Sequence, residues 1–262
     1  MRAFAFVSAL SLALAGAAEA APQRVASLNL CTDELLLMLG DPRQIASVTH
    51  LAQRPAETRL WREGRRHRRN DGSLLSVVPL RPDLVLTMGG GARDRVRIAE
   101  RLGVRTLDLP FPGNLADIER SIALVAEALG RERQGAALLA EVAALKSMVP
   151  THQPDSIWLG GGGRSVSATG LAADWMKLAG LRQRPLAGDR VSLETLLARP
   201  PAVLVRSDYR SGQYSGQQRW LTHPLARGTR RSRTLVTDGR AWTCMGPAMI
   251  AEAKRLRGVA AR

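Results

Sequence analysis

The sequence predicts an α/β protein: two parallel-sheet α/β lobes joined by one long backbone helix. Three observations predict it. Short apolar runs alternate with helical periods between residues 24 and 109. An unbroken helical period follows, with no proline between Pro112 and Pro150. The alternation of strand and helix then resumes at Ile157. Strands separated by helices describe a parallel sheet covered on both faces.

In the first lobe, residues 24–28 read as a strand and 33–39 as a helix stopped by Gly40. Thr32 is the expected N-cap, with Asp33 and Glu34 placed to suit the positive end of the helix dipole. A second strand at 45–49 ends at His50, and the polar, Arg-dense stretch 53–70 has no apolar period, so a surface loop or broken helix is expected there. A short helix at 74–80, a third strand at 83–87, a glycine loop, a helix at 93–102 and a fourth strand at 104–109 complete the lobe. The helical run from Leu115 to Leu145 pauses only at Gly130. As one rigid spacer of about 30 residues, straight or kinked, it would reach about 45 Å. The second lobe should hold strands at 157–159, 166–168, 202–205 and 234–237, with helices at 171–178, 193–198, 220–225 and 247–256. The division is thus 22–113 for the N-terminal lobe, 114–149 for the interlobe helix and 150–262 for the C-terminal lobe.

Residues 1–20 have the make-up of an export signal. Arg2 precedes an apolar run, and Ala18-Glu19-Ala20 offers the small-x-small pattern of a cleavage site. The expectation is cleavage after Ala20 and release into the periplasm. The formal net charge is +15, carried almost wholly by arginine, since lysine occurs only at 146, 177 and 254. Aromatic residues make up only 4% of the chain, too few to interleave with basic side chains as a nucleic-acid surface needs. The charge points instead to an anionic ligand, an anionic lipid or no partner at all.

No motif supports catalysis, and no enzyme is expected. The sequence lacks a Gly-x-Ser-x-Gly elbow, a His-Glu-x-x-His and a Cys-x-x-Cys. The run Gly160 to Gly163 continues Arg164-Ser165, not the Lys-Ser/Thr of a phosphate loop, and reads as a tight turn with its backbone facing a cleft. Of four histidines, His67 and His152 fall in polar surroundings and should be solvated.

Several segments together resemble the periplasmic binding proteins for vitamin B12 and ferric siderophores. Residues 24–39, RVASLNLCTDELLLML, look like the family's opening strand and helix, and Leu80-Arg81-Pro82-Asp83-Leu84-Val85 is similar to its L-K-P-D-L-V. Residues 89–104 resemble its glycine loop and following helix, 200–205 its C-lobe P-D-[AV]-[IL]-[IV], and Trp242 with Gly246-Pro247 its closing motif. The resemblance implies a monomeric carrier that holds a small-molecule metal complex between its lobes and delivers it to an ABC importer permease. Ferric siderophore, corrinoid and heme are the expected cargoes, in that order, with no intrinsic cofactor. Direct capture of a thiophilic metal ion, or a periplasmic enzyme or metallochaperone on the same scaffold, are the alternatives. Ligands of such folds sit at the carboxyl ends of strands. That rule picks out Asn29, Cys31, Thr32, His50, Met88 and Arg93 from the first lobe. From the second it picks Arg164, Asp208, Tyr209, Trp242 and Cys244. The family docks on its permease through an exposed acid on each lobe. The C-lobe position matches Glu194; the N-lobe position falls on Leu75, with Asp71 as the nearby substitute.

Cys31, His50 and Cys244 stand on loops expected to face one cleft. Three readings remain open: two buried thiols that never meet, a disulfide across the lobes, or a thiolate–imidazole set suited to Cu(I), Zn(II) or the open position of a chelated metal. A bridge would staple the cleft, which fits poorly with release of a cargo.

Overall fold

The structure, a computed structural model, describes residues 21–89, 93–208, 223–227 and 231–260; for 93–96 it describes the backbone alone. In the first lobe β1 (Val25–Ser27), β2 (Ile45–Thr49), β3 (Arg69–Asn70), β4 (Leu84–Met88) and β5 (Arg105–Leu109) form one sheet in the order β3-β2-β1-β4-β5. In the second, β6 (Asp155–Leu159), β7 (Arg182–Gln183), β8 (Val203–Ser207) and β9 (Arg233–Thr237) run in the order β7-β6-β8-β9. Every pairing within both sheets is parallel. The α/β class and the two-sheet plan therefore stand as expected.

Each sheet is covered on both faces, and strand alternation decides which residue goes where. Val25, Leu84 and Leu86 face the larger core, whereas Ala26 and Val85 face a smaller one under α3 (Leu74–Val77) and α4 (Arg93–Arg101). The larger core is continuous between the lobes. It gathers α1 (Leu30–Leu39), α5 (Leu115–Leu129) and α7 (Leu171–Leu178), and runs on to the last helix, Met249–Ala260. An apolar core shared by both lobes resists wide separation, because opening would expose it to water.

The joining helix is shorter than expected. Gly130 takes the left-handed conformation (φ 64°) and its N–H caps Ala126 and Glu127, which ends α5. The chain then reverses into α6 (Glu132–Ser147): the Lys146 ammonium lies 2.7 Å from Glu119, a contact a continuous helix would place far out of reach. The lobes are thus joined through α5, while α6 folds back along it and packs on the last helix.

Local expectations also shift. Asn29, not Thr32, caps α1, its side chain accepting from the Cys31 N–H at 2.8 Å. Residues 166–168 form no strand; only an isolated bridge joins Arg164 to Arg190. The edge strands β3 and β7, two polar residues each, were not expected. The stretch 53–70 is a broken helix in part, holding α2 (Trp61–Gly64) between a 3-10 turn and β3. Among the described residues no helix is long and apolar enough to cross a membrane.

Candidate functional site

A cavity of about 790 Å³ opens between the two sheets, and the ends of six strands build it. The first lobe contributes residues beyond the carboxyl ends of β1, β2 and β3: Asn29 and Cys31, His50, and Asp71 with Gly72. The second contributes Gly160, Gly161 and Arg164 after β6, Ser207 at the end of β8, and Gly239, Trp242 and Thr243 after β9. Parallel strands leave their carboxyl ends as loops on one edge, so two such sheets facing each other create a cleft at that edge.

The wall from the second lobe is aromatic. Trp242 is buried, its indole N–H donating to Thr237 Oγ1 at 2.8 Å. The half-buried Trp158 packs against it with ring centroids 5.6 Å apart. Gly160 makes room for that ring, since a Cβ there would meet it at 2.7 Å. The Trp158 indole N–H is shielded and has no hydrogen-bond partner among the described residues. The opposing wall carries imidazole and carboxylates: His50, Glu57 and Asp71.

Of the residues expected in the cleft, Asn29, Cys31, His50, Arg164 and Trp242 line it. Thr32 does not. It is fully buried, its hydroxyl 2.8 Å from Ser27 Oγ and 2.9 Å from the Asn29 carbonyl. Met88 is half-buried outside the lining, and Asp208 is exposed, its carboxylate accepting from the Gly239 N–H at 3.0 Å. The Arg93 side chain and Tyr209 lie outside the described residues. His152 is exposed as expected, but His67 is half-buried, and that burial lowers its pKa. Trp158 went unread because a lone aromatic in a short apolar run looks like core. The glycine directly after the strand, at 160, was the available signal.

The thiolate–imidazole set is overturned. Cys31 and Cys244 form a disulfide, with Cα atoms 5.2 Å apart across 213 residues of sequence. A disulfide has no thiolate to offer a metal, and among the described residues no group of three or more His, Cys, Asp or Glu side chains could hold a metal ion. The bridge joins the first turn of α1 to the short helix Ala241–Cys244. It packs at the edge of the shared core and leaves the cleft open.

A polar clasp sits nearby. The Arg59 guanidinium reaches Asp238 at 3.5 Å and the fully buried Glu252 at 3.4 Å, and Arg240 donates to the Pro55 carbonyl at 2.8 Å. Behind it two carboxyl groups are sealed inside α1, not displayed at its end. Burial pushes Asp33 up to about 7 against the opposing hydrogen bonds from Thr49. Burial also pushes Glu34 to about 7, with the charges of Asp33 and Asp238 adding to it and the Thr58 hydroxyl opposing.

A family model described as periplasmic binding protein matches residues 25–231. The chain belongs to that family of solute-binding proteins. No curated protein matches the sequence. Among solved structures, a possible iron-binding periplasmic solute-binding protein from Staphylococcus epidermidis superposes with a TM-score of 0.68 at 15% identity, covering 93% of this chain and 100% of its own. A periplasmic heme-binding protein from Pseudomonas aeruginosa gives 0.62 at 21%, covering 91% and 92%. The periplasmic vitamin B12 binding protein of Vibrio cholerae gives 0.61 at 15%, covering 90% and 96%. At these identities the likeness is one of fold.

Proposed function

We propose that this protein captures a metal chelate in the interlobe cleft and delivers it to an ABC import permease from the periplasm, residues 1–20 serving as the export signal. Ferric siderophore, corrinoid and heme are the cargo classes, and the chain acts as a monomer without catalysis. One observation carries the reading: a strand-end cleft of about 790 Å³ sets two indoles against an imidazole and carboxylates. Such a wall receives the flat apolar face of a chelate, and the opposite wall meets its polar edge. The family, and the possible iron-binding, the heme-binding and the vitamin B12 binding proteins that share the fold, support the same class.

On the outer surface, Glu194 is the proposed permease contact. It is exposed in the first turn of α8 (Leu193–Ala198), and the Ser192 hydroxyl holds its carboxyl below the usual range, so it stays charged. Intrinsic tryptophan quenching of the oxidised protein by hemin, a ferric catecholate and cyanocobalamin tests the reading. One of the three should bind with a Kd of about 1 µM or tighter. Failure of all three would overturn it.

A further inference from the structure

The Arg-dense stretch between β2 and β3 takes no part in the cleft's walls beyond His50, Leu51 and Glu57, yet it is not a loose loop. The Gln53 side-chain amide donates to the carbonyls of Gly64 (3.3 Å) and His67 (2.9 Å), which pins α2 against the turn that follows β2. Arg65 is oriented twice. Its Nε donates to the Gln53 carbonyl at 3.1 Å, and its guanidinium lies 4.6 Å from the centre of the Trp61 ring.

This framework bounds a depression of about 580 Å³ lined by His50, Gln53, Arg54, Arg65, Arg69 and Asp71 among others. His50 and Asp71 also line the main cleft, so the two spaces adjoin. Three guanidiniums here face one carboxylate. That carboxylate is already committed: Asp71 accepts from the Ser73 N–H at 2.8 Å, and hydrogen bonds from Ser73 and Ser76 hold it at about 2. Arg54 and Arg69 form no ion pair or side-chain hydrogen bond among the described residues. An uncompensated set of planar donor forks beside a cleft suits an oxyanion, which guanidinium binds through paired hydrogen bonds.

We propose that this basic pocket is a second recognition site, taking the carboxylate, phosphate or sulfonate arm of the cargo whose core sits in the cleft, with His50 at the junction. The proposal rests on the reading of the cleft as the cargo site. It makes anionic chelates the preferred class and neutral ones poor cargo.

Two titrations of the oxidised protein test it, each with wild type and an Arg54→Gln/Arg69→Gln variant whose melting curve is checked first. In calorimetry at low ionic strength, metal-free citrate should bind wild type, and the double substitution should weaken it at least about tenfold. No citrate binding, or equal binding to the variant, would overturn the pocket. In absorbance titrations, wild type should prefer hemin to its dimethyl ester by about tenfold, and the variant should show no preference. Equal wild-type affinities would refute the link between pocket and cargo. If citrate binds and neither porphyrin nor any other chelate does, the anion pocket stands and the cargo reading of the cleft fails.

Discussion

The two lobes meet the cleft with different chemistry. The second lobe offers paired indoles, Trp158 and Trp242, while the first offers His50, Glu57 and Asp71, with guanidiniums close behind. Both walls come from residues at or just beyond the carboxyl ends of parallel strands, β2 and β3 in the first lobe and β6 and β9 in the second. Side chains at strand ends are free of the packing that fixes the strands themselves. Under the proposed function, the contrast suits a cargo with an apolar face and a polar, anionic edge.

The largest expected effect comes from cutting the covalent link between the lobes. Loop-closure entropy for a separation of 213 residues puts the bridge's contribution near its ceiling, about 4–5 kcal/mol. Cys31→Ser should therefore lower Tm by about 10 °C or more in calorimetry, and reduction of wild type should do the same. Two free thiols in the denatured, unreduced protein would show that the bridge does not form. The continuous core and the Arg59 clasp remain after the cut, so the lobes should stay together. Small-angle scattering should then show little change in radius of gyration with cargo, whether or not the bridge is present.

A smaller effect belongs to two buried carboxyl groups of helix α1 in the first lobe. Asp33 and Glu34 have folded-state pKa values raised to about 7, above their usual values of 3.8 and 4.5. The folded protein therefore holds protons that the unfolded chain has released, and stability falls as pH rises through the folded values. Between pH 5 and 8 wild type should lose a few kcal/mol of unfolding free energy, measured by urea titration. Asp33→Asn/Glu34→Gln should flatten that slope. A wild-type stability that rises over this window would show that the pair is ionised in place.

These outcomes turn on what the sequence could and could not reveal. Strand β2 and helices α7 and α8 fall where apolar runs and periods put them, because buried parallel strands and amphipathic helices leave a continuous pattern. Edge strands such as Arg69–Asn70 carry no apolar signal, and a helical period is the same whether the chain goes straight or doubles back after Gly130. At the site, loops were legible as strand ends, which located His50, Arg164 and Trp242. Burial was not: Thr32 and Trp158 exchange roles because neighbouring elements, not local sequence, cover one and expose the other. The spacing of Cys31 and Cys244 carries no information about their distance.

The smallest effect on stability is expected at the outer surface, where the lobes repeat one unit and then diverge. Ser73 caps α3 and Ser192 caps α8, and eleven residues lead from each cap to its strand (73 to 84, 192 to 203). The second helical position is Glu194 in one and Leu75, 79% exposed, in the other. Glu194→Lys should change stability by no more than about 0.5 kcal/mol and leave cargo affinity intact, yet abolish import in an uptake assay. Weakened binding by the purified variant would place Glu194 in the wrong role.

The central proposal puts the cargo's metal inside the interlobe cleft, between its two walls. Anomalous diffraction from a crystal of the protein loaded with its tightest-binding chelate measures that position directly. The account predicts one strong metal peak inside the interlobe cleft, within reach of both walls. A peak on the outer surface, or in the Arg-lined pocket alone, would contradict it.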